Sequence, residues 1–138
     1  GLEAKIIAAE ALGQLRVATG VESLIQMLDS VDTKLVERCH RALVRITFND
    51  FGFRGPKWNA WYSENRMRHR AEWAIDSIVH PKESLRNAAI SEIAEIIGDV
   101  MDWSHGPMDH KGRIELQKKL QVWWAKEGRA LFPTPGDE

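Results

Sequence analysis

The chain has 138 residues, of which 43% are hydrophobic and 28% are charged. That length allows one domain with a substantial core, and the composition is globular rather than disordered. The formal net charge of −1 argues against a dedicated nucleic-acid-binding module, because such modules usually carry a basic excess. No run approaches the ~20 consecutive apolar residues that a membrane span requires.

Apolar side chains recur at helical spacing along most of the chain, which predicts an all-α fold. In the first helix the predicted inward stripe is formed by Ile6, Ile7, Ala11, Leu12 and Leu15. The predicted helices, in chain order, span residues 4–17, 21–29, 34–47, 57–65, 67–79, 82–97 and 113–130.

Several residues predict where these helices begin and end. Asp32 or Thr33 is placed to cap the third helix, because either side chain can accept a hydrogen bond from an orphan backbone N–H. Pro56 is suited to the first turn of the fourth helix. Gly98 is a natural end for the helix before it.

An aromatic stretch interrupts the helical pattern after residue 46. Residues 48–56 (FNDFGFRGP) predict a structured loop, because three Phe side chains favour burial, and Gly52 is expected to adopt a positive φ. Trp58, Trp61 and Tyr62 share one face of the helix that follows. The aromatic set is either a local core or a ligand groove. Its partial recurrence favours a core, with Trp58 as the exception.

The pattern repeats at an offset of 50 residues. Equivalent positions keep their apolar character and size, as in the pairs Leu28/Ile78, Leu35/Leu85, Cys39/Ala89, Leu43/Ile93, Ile46/Ile96 and Phe53/Trp103. The first helix matches the third at an offset of 31. Helix pairs repeated at this period are typical of an α-solenoid, in which each pair buries its apolar face against its neighbours.

The segment AAEALGQL, followed by VESLIQMLDSVDTKLVERCHRAL, resembles HEAT-like repeats of the short bacterial type found in phycobilisome-lyase-related proteins. The family pattern is a short helix ending in Leu-x-Asp, a turn, and a helix with V-R-x-x-A-x-x-A-L. Arg86 keeps the arginine of that pattern, whereas Lys5 and Val36 stand at the corresponding positions of the other units.

The Phe51-Gly52-Phe53 and Trp61-Tyr62 extension resembles one that follows bacterial HEAT-like units. The resemblance implies a short right-handed α-solenoid of two to three helix pairs, with extra aromatic-rich helices after long loops. It implies one domain over residues 1–131, with units of about 1–31, 32–66 and 67–131, and a loose tail over 132–138.

The resemblance also implies a function, a non-catalytic protein-interaction scaffold within a larger bacterial protein. A protein or peptide partner would then bind along the second helix of each pair. The contact residues expected there are Glu37, Arg41, Arg45, Arg86, Asn87 and Ser91, with Trp58 as a possible anchor. No cofactor is expected, since no Ser/His/Asp set, no phosphate-binding glycine loop and no paired inward carboxylates stand out.

Two alternatives belong to other functional classes. The basic run Arg66, Arg68 and Arg70 is the feature that a nucleic-acid-binding HEAT-like protein would use for phosphate contact. The competing interpretation of that run is an ordinary helix face exposed to solvent. A lyase-like chaperone for a pigment-bearing protein is the other alternative, and it follows from the resemblance alone.

A loop with His and Asp side chains has the chemistry of metal ligands. It lacks the short ligand spacings of known sites, and the matching loop of the first copy has no His, so no metal is predicted. Its candidate ligands are Asp99, Asp102, His105, Asp109 and His110.

The single cysteine, Cys39, excludes an intrachain disulfide and is expected to be a small buried side chain. One unpaired cysteine favours a reducing compartment, so a cytoplasmic location is expected. No signal-peptide pattern opens the sequence. The opening residues already have helical character without a cap before them, which favours a piece of a longer protein.

Overall fold

A computed structural model describes residues 1–98 and 109–132, and within these residues the chain forms helices and contains no strand. The all-α prediction is therefore confirmed. The chain divides into two compact units, unit 1 (Gly1–Arg66) and unit 2 (Met67–Glu138). In the described part of the chain, no helix combines the length and the apolar character that crossing a membrane demands.

Unit 1 contains four helices. They are α1 (Leu2–Leu15), α2 (Val21–Met27), α3 (Thr33–Thr47) and α4 (Gly55–Asn65), with a 3₁₀ turn at Ala18–Gly20 before α2. Both α1 and α2 pack against α3, and α4 packs against α2. The core of unit 1 is therefore built around α3.

The sequence dictates where α3 begins and which face it buries. The Asp32 side chain accepts a hydrogen bond from Leu35 N at 2.9 Å, so the predicted cap is present. Such a cap stabilises a helix by about 1 kcal/mol. Leu43 and Ile46 are fully buried, as is Cys39, in agreement with the predicted stripe.

The predicted stripe of α1 is wrong at two positions. Ile7 and Leu15 are 63% and 75% exposed, while Ile6 and Gly13 are buried. The reason is close helix packing, because a Cβ on Gly13 would lie 2.9 Å from both Cα and Cβ of Ala42. The helix therefore turns its small residues toward α3, which leaves two larger apolar side chains outside.

Unit 2 contains a second set of helices. They are α5 (Arg70–Ser77), α6 (Glu83–Ile97) and α7 (His110–Trp123), followed by a π-helical segment (Trp124–Gly128) and a last helical turn (Arg129–Leu131). Helix α5 packs against both α6 and α7. The Gln117 side chain donates to the carbonyl oxygens of Ile75 and Asp76, at 3.0 and 3.2 Å, and so ties α7 to the end of α5.

The offset-50 repeat is visible in these helices. Helices α3 and α6 each have 15 residues and begin 50 residues apart, at Thr33 and Glu83. Each unit contains a short helix, a 15-residue helix and an extra helix that packs on the short one. Equivalent buried positions include Leu35/Leu85, Cys39/Ala89 and Leu43/Ile93.

Candidate functional site

Three arginines on one face of α3 line a groove between α3 and α1, here called the arginine groove. Arg38, Arg41 and Arg45 follow one another at helical spacing and so point to the same side. The groove has a volume of about 300 Å³, and the small residues Gly13 and Ala42 also line it. Because Gly13 and Ala42 have little or no side chain, the space beside them stays open as the groove.

Carboxylates pair with Arg38 and Arg41. Glu10 accepts from Arg38 Nε at 2.7 Å, and Glu37 accepts from Arg38 Nη1 at 3.0 Å and from Arg41 Nη2 at 3.2 Å. The hydrogen bond that Arg38 donates to Glu10 is the main reason that the pKa of Arg38 is raised above its ordinary value. The Arg41 side chain remains 68% exposed, so its guanidinium stays accessible to a further acceptor.

The structure brings together the predicted contact residues of α3. Arg41 and Arg45 line the arginine groove, and Glu37 pairs with Arg41 across one helical turn. Sequence reasoning missed Arg38, which lines the same groove. The helical period placed Arg38 on the polar face of α3 with Arg41, but only the packing of α1 shows that a groove lies there.

The loop after α3 is held in a single conformation by side-chain hydrogen bonds. Asp50 Oδ1 accepts from Gly52 N at 2.9 Å and lies 2.8 Å from His40 Nε2. Trp58 Nε1 donates to Gly52 O at 2.8 Å. Gly52 has a φ of 80°, which confirms the predicted positive φ and explains the need for glycine.

Trp58, expected as a possible anchor for a partner, is not exposed at the surface. Its side chain is completely buried. Its indole N–H donates to the loop, and its ring packs edge-to-face with that of Phe51, with ring centroids 4.9 Å apart. Leu120, which matches Trp58 once about a dozen extra residues in the second copy are allowed for, is also completely buried. The buried Trp58 side chain therefore supports the loop from the core of unit 1.

Phe53 is the aromatic side chain that the loop leaves outside. It is 55% exposed, and its ring centroid lies 4.3 Å from that of His40. Sequence reasoning grouped Phe53 with the buried aromatic residues. Its repeat counterpart, Trp103, lies outside the described residues, so the comparison between the two copies ends at this position.

The predicted contact residues of unit 2 lie on α6. Asn87 and Ser91 are exposed. The Arg86 guanidinium donates from Nη1 to the carbonyl oxygens of His80 and Pro81, both at 3.0 Å, so this side chain supports the turn before α6. Arg86 therefore has a structural role, whatever else it contacts.

The basic run proposed for phosphate contact is largely occupied by carboxylates. Arg68 Nη1 donates to Asp76 Oδ2 at 2.7 Å, and this hydrogen bond raises the pKa of Arg68. Arg70 pairs through both terminal nitrogens with Glu92, in a site where the side chains are only 10% and 8% exposed. Arg66 is exposed at the end of α4. The geometry of Arg68 and Arg70 thus gives no support to phosphate binding.

His69 has a structural role at the start of α5. Its Nδ1 accepts from Ala71 N at 3.0 Å, and Glu72 accepts from His69 N at 3.1 Å, which together form a capping box. Burial is the main reason that the pKa of His69 is lowered. An imidazole that accepts at Nδ1 must lack a proton there, which agrees with that direction.

The candidate metal ligands Asp99, Asp102 and His105 lie outside the described residues. Asp109 accepts from Gly112 N at 2.8 Å and caps α7, and His110 begins that helix. Across residues 1–98 and 109–132, no group of three or more His, Cys, Asp or Glu side chains is arranged to hold a metal ion. Cys39 is buried, and burial raises the pKa of its thiol to about 11, which disfavours the nucleophilic thiolate.

Comparison with protein families, with curated proteins and with solved structures finds no match to this chain. Functional reasoning therefore depends on the residues themselves. The two exposed features of unit 1 that combine unusual chemistry with defined geometry are the arginine groove and the loop that presents Phe53.

Proposed function

We propose that the chain is a non-catalytic protein-interaction module of HEAT-like repeats, and that its arginine groove binds an acidic segment of a partner protein. The observation that carries the proposal is the set of three arginines on one face of α3. They stand beside a groove whose floor is made of small residues. The proposed architecture is a short right-handed solenoid of two to three helix pairs.

Support for the HEAT-like architecture comes from the repeated helices. The 15-residue helices α3 and α6 recur at the same offset as their buried positions, and each is preceded by a short helix. Repeats of this kind bury their apolar faces by stacking, and their second helices present side chains along one surface. The arginine groove lies on such a helix.

Support for an acidic partner comes from charge and geometry. The groove is lined by three guanidinium groups, and that of Arg41 is 68% exposed beside Glu37. Arginine binds carboxylates with two parallel N–H donors, which gives both strength and direction. A volume of about 300 Å³ suits a few side chains of one segment rather than a globular surface.

The proposal is tested with a random library of short peptides selected against the immobilised protein. Enriched peptides are expected to contain Asp or Glu. The double variant Arg41→Glu with Arg45→Glu should bind them at least tenfold more weakly, since about 1.4 kcal/mol corresponds to tenfold in affinity. The matched control is Lys118→Glu with Lys119→Glu, which makes the same charge change at exposed positions of α7 and should bind normally.

Two results would contradict the proposal. One is a selection that enriches no peptide above the unselected library. The other is a set of enriched peptides that bind the double arginine variant as well as they bind the original protein. In either case the arginine groove is not a site for acidic segments.

The nucleic-acid alternative is separated by one further measurement. A labelled DNA duplex is titrated with the protein at physiological salt, and with the Arg66→Glu variant. Arg66 is the suitable position because it is exposed, whereas changing Arg70 would break a buried ion pair. The proposal predicts no retained duplex, and duplex binding that is lost in the variant would favour the alternative.

A further inference from the structure

Phe53 lines two grooves on unit 1, and these are called together the Phe53 surface. One groove has a volume of about 610 Å³ and is lined by Phe51, Phe53 and Pro56 among other residues. The second has a volume of about 560 Å³, and Leu28 and Val36 line it together with Phe53. An exposed aromatic ring shared by two grooves is a candidate anchor site, because aromatic residues dominate binding energy at interfaces.

Phe53 lies in a loop whose backbone is held by several side-chain hydrogen bonds. The Trp58 indole N–H donates to Gly52 O. Asp50 accepts from Gly52 N and also contacts the His40 ring. The His40 ring also supports the Phe53 ring. A side chain held in this way loses little conformational freedom when a partner binds, which favours binding.

The charge at the rim of the larger groove is positive. Arg54 and Lys57 line the larger groove and are exposed. Within the described part of the chain, neither forms an ion pair with a carboxylate. The surface therefore combines apolar side chains with two cations that no carboxylate of the described residues neutralises, which is complementary to a segment that has apolar side chains next to acidic ones.

Glu37 links the Phe53 surface to the arginine groove. Its side chain lines the smaller of the two Phe53 grooves, and its carboxylate accepts from Arg38 and Arg41. One extended or helical segment that crosses α3 at Glu37 would reach both regions.

We propose that the Phe53 surface holds the apolar anchor of the acidic partner segment, an inference that rests on the proposed function. The segment places one apolar side chain in each of the two grooves that Phe53 lines and an Asp or Glu opposite Arg54 and Lys57. Its further acidic residues lie in the arginine groove. The partner is thus a protein segment with apolar and acidic residues close together in sequence, rather than a purely acidic tail.

The test uses the peptides enriched by selection on the original protein. Their sequences are expected to combine aliphatic or aromatic residues with Asp or Glu. Binding is measured by fluorescence anisotropy for Phe53→Ala and for the double variant Arg54→Glu with Lys57→Glu, and each should weaken about tenfold or more. Val122→Ala is the matched control, because Val122 is 53% exposed on α7 in unit 2 and its loss should leave affinity unchanged. Circular dichroism establishes that each variant is folded.

The outcomes separate this inference from the proposed function. If Phe53→Ala binds normally while Arg41→Glu with Arg45→Glu does not, the Phe53 surface is not the anchor site and the proposed function stands. If both variants bind normally, or if no peptide is enriched, both proposals fail. If the original protein self-associates in sedimentation experiments and Phe53→Ala does not, the occupant is a second copy of the chain and this inference is overturned.

Discussion

Replacing Arg70 by Met is predicted to destabilise the protein far more than replacing Arg68 by Met. The Arg70 and Glu92 side chains are 10% and 8% exposed, whereas those of Arg68 and Asp76 are 36% and 48% exposed. Without Arg70, the Glu92 carboxylate stays buried and loses its counter-charge, which costs about 3–5 kcal/mol. The exposed pair is screened by solvent, so its loss costs about 0.2–1 kcal/mol.

The assay is urea denaturation of both variants, with unfolding monitored by circular dichroism. A third variant, Arg70→Met with Glu92→Met, removes both charges and should recover most of the lost stability, because no buried charge remains. The repeat equivalents of Arg70 and Glu92 in unit 1 are the uncharged residues Gly20 and Ala42. Equal losses for Arg70→Met and Arg68→Met would refute the reasoning, since the two pairs would then experience the same environment.

Three further predictions concern stability and reactivity. The Gly13→Ala variant should lose up to about 2 kcal/mol of unfolding free energy, measured by urea denaturation. Overpacking against Ala42 costs about 1–3 kcal/mol, which exceeds the gain of about 1 kcal/mol in helix propensity. A net gain in stability would contradict the close packing of α1 and α3. Because burial lowers the pKa of His69, the unfolded chain binds more protons below pH about 6.5, so stability should fall as the pH drops through that range. His69→Asn keeps a capping side chain and should reduce this pH dependence of the denaturation midpoint; an unchanged dependence would contradict it. The Cys39 thiol, with its pKa raised to about 11 by burial, should react with a chromogenic disulfide reagent only after unfolding, and rapid labelling of the folded protein would show that it is accessible.

The helices and their ends could be predicted from the sequence because they depend on local chemistry. The period of apolar residues places α3 and α6 within one residue of their observed bounds, and Asp32 marks the start of α3. The positive φ of Gly52 was also predictable, because only glycine adopts that conformation without strain. Each of these features involves residues that are close together in sequence.

Features that depend on distant packing could not be predicted. The inward face of α1 is decided by the close contact between Gly13 and Ala42, so a hydrophobic stripe alone misplaces Ile7 and Leu15. The Arg70 partner lies 22 residues away, at Glu92, and no spacing rule connects them.

The candidate site was partly predictable for the same reason. The polar face of α3 follows from its helical period, and Arg41 and Arg45 lie on it. The arginine groove exists only because α1 packs alongside. The difference between Trp58, which is buried, and Phe53, which is exposed, arises from hydrogen bonds within the loop rather than from residue type.

The most direct test of the central claim is a map of backbone amide chemical shifts on titration with the tightest peptide from the selection. The proposed binding surface predicts changes along α3 between Arg38 and Arg45, and in the loop at Gly52, Phe53 and Arg54. Changes confined to unit 2, with the amides of α3 and of the loop unaffected at saturation, would contradict it.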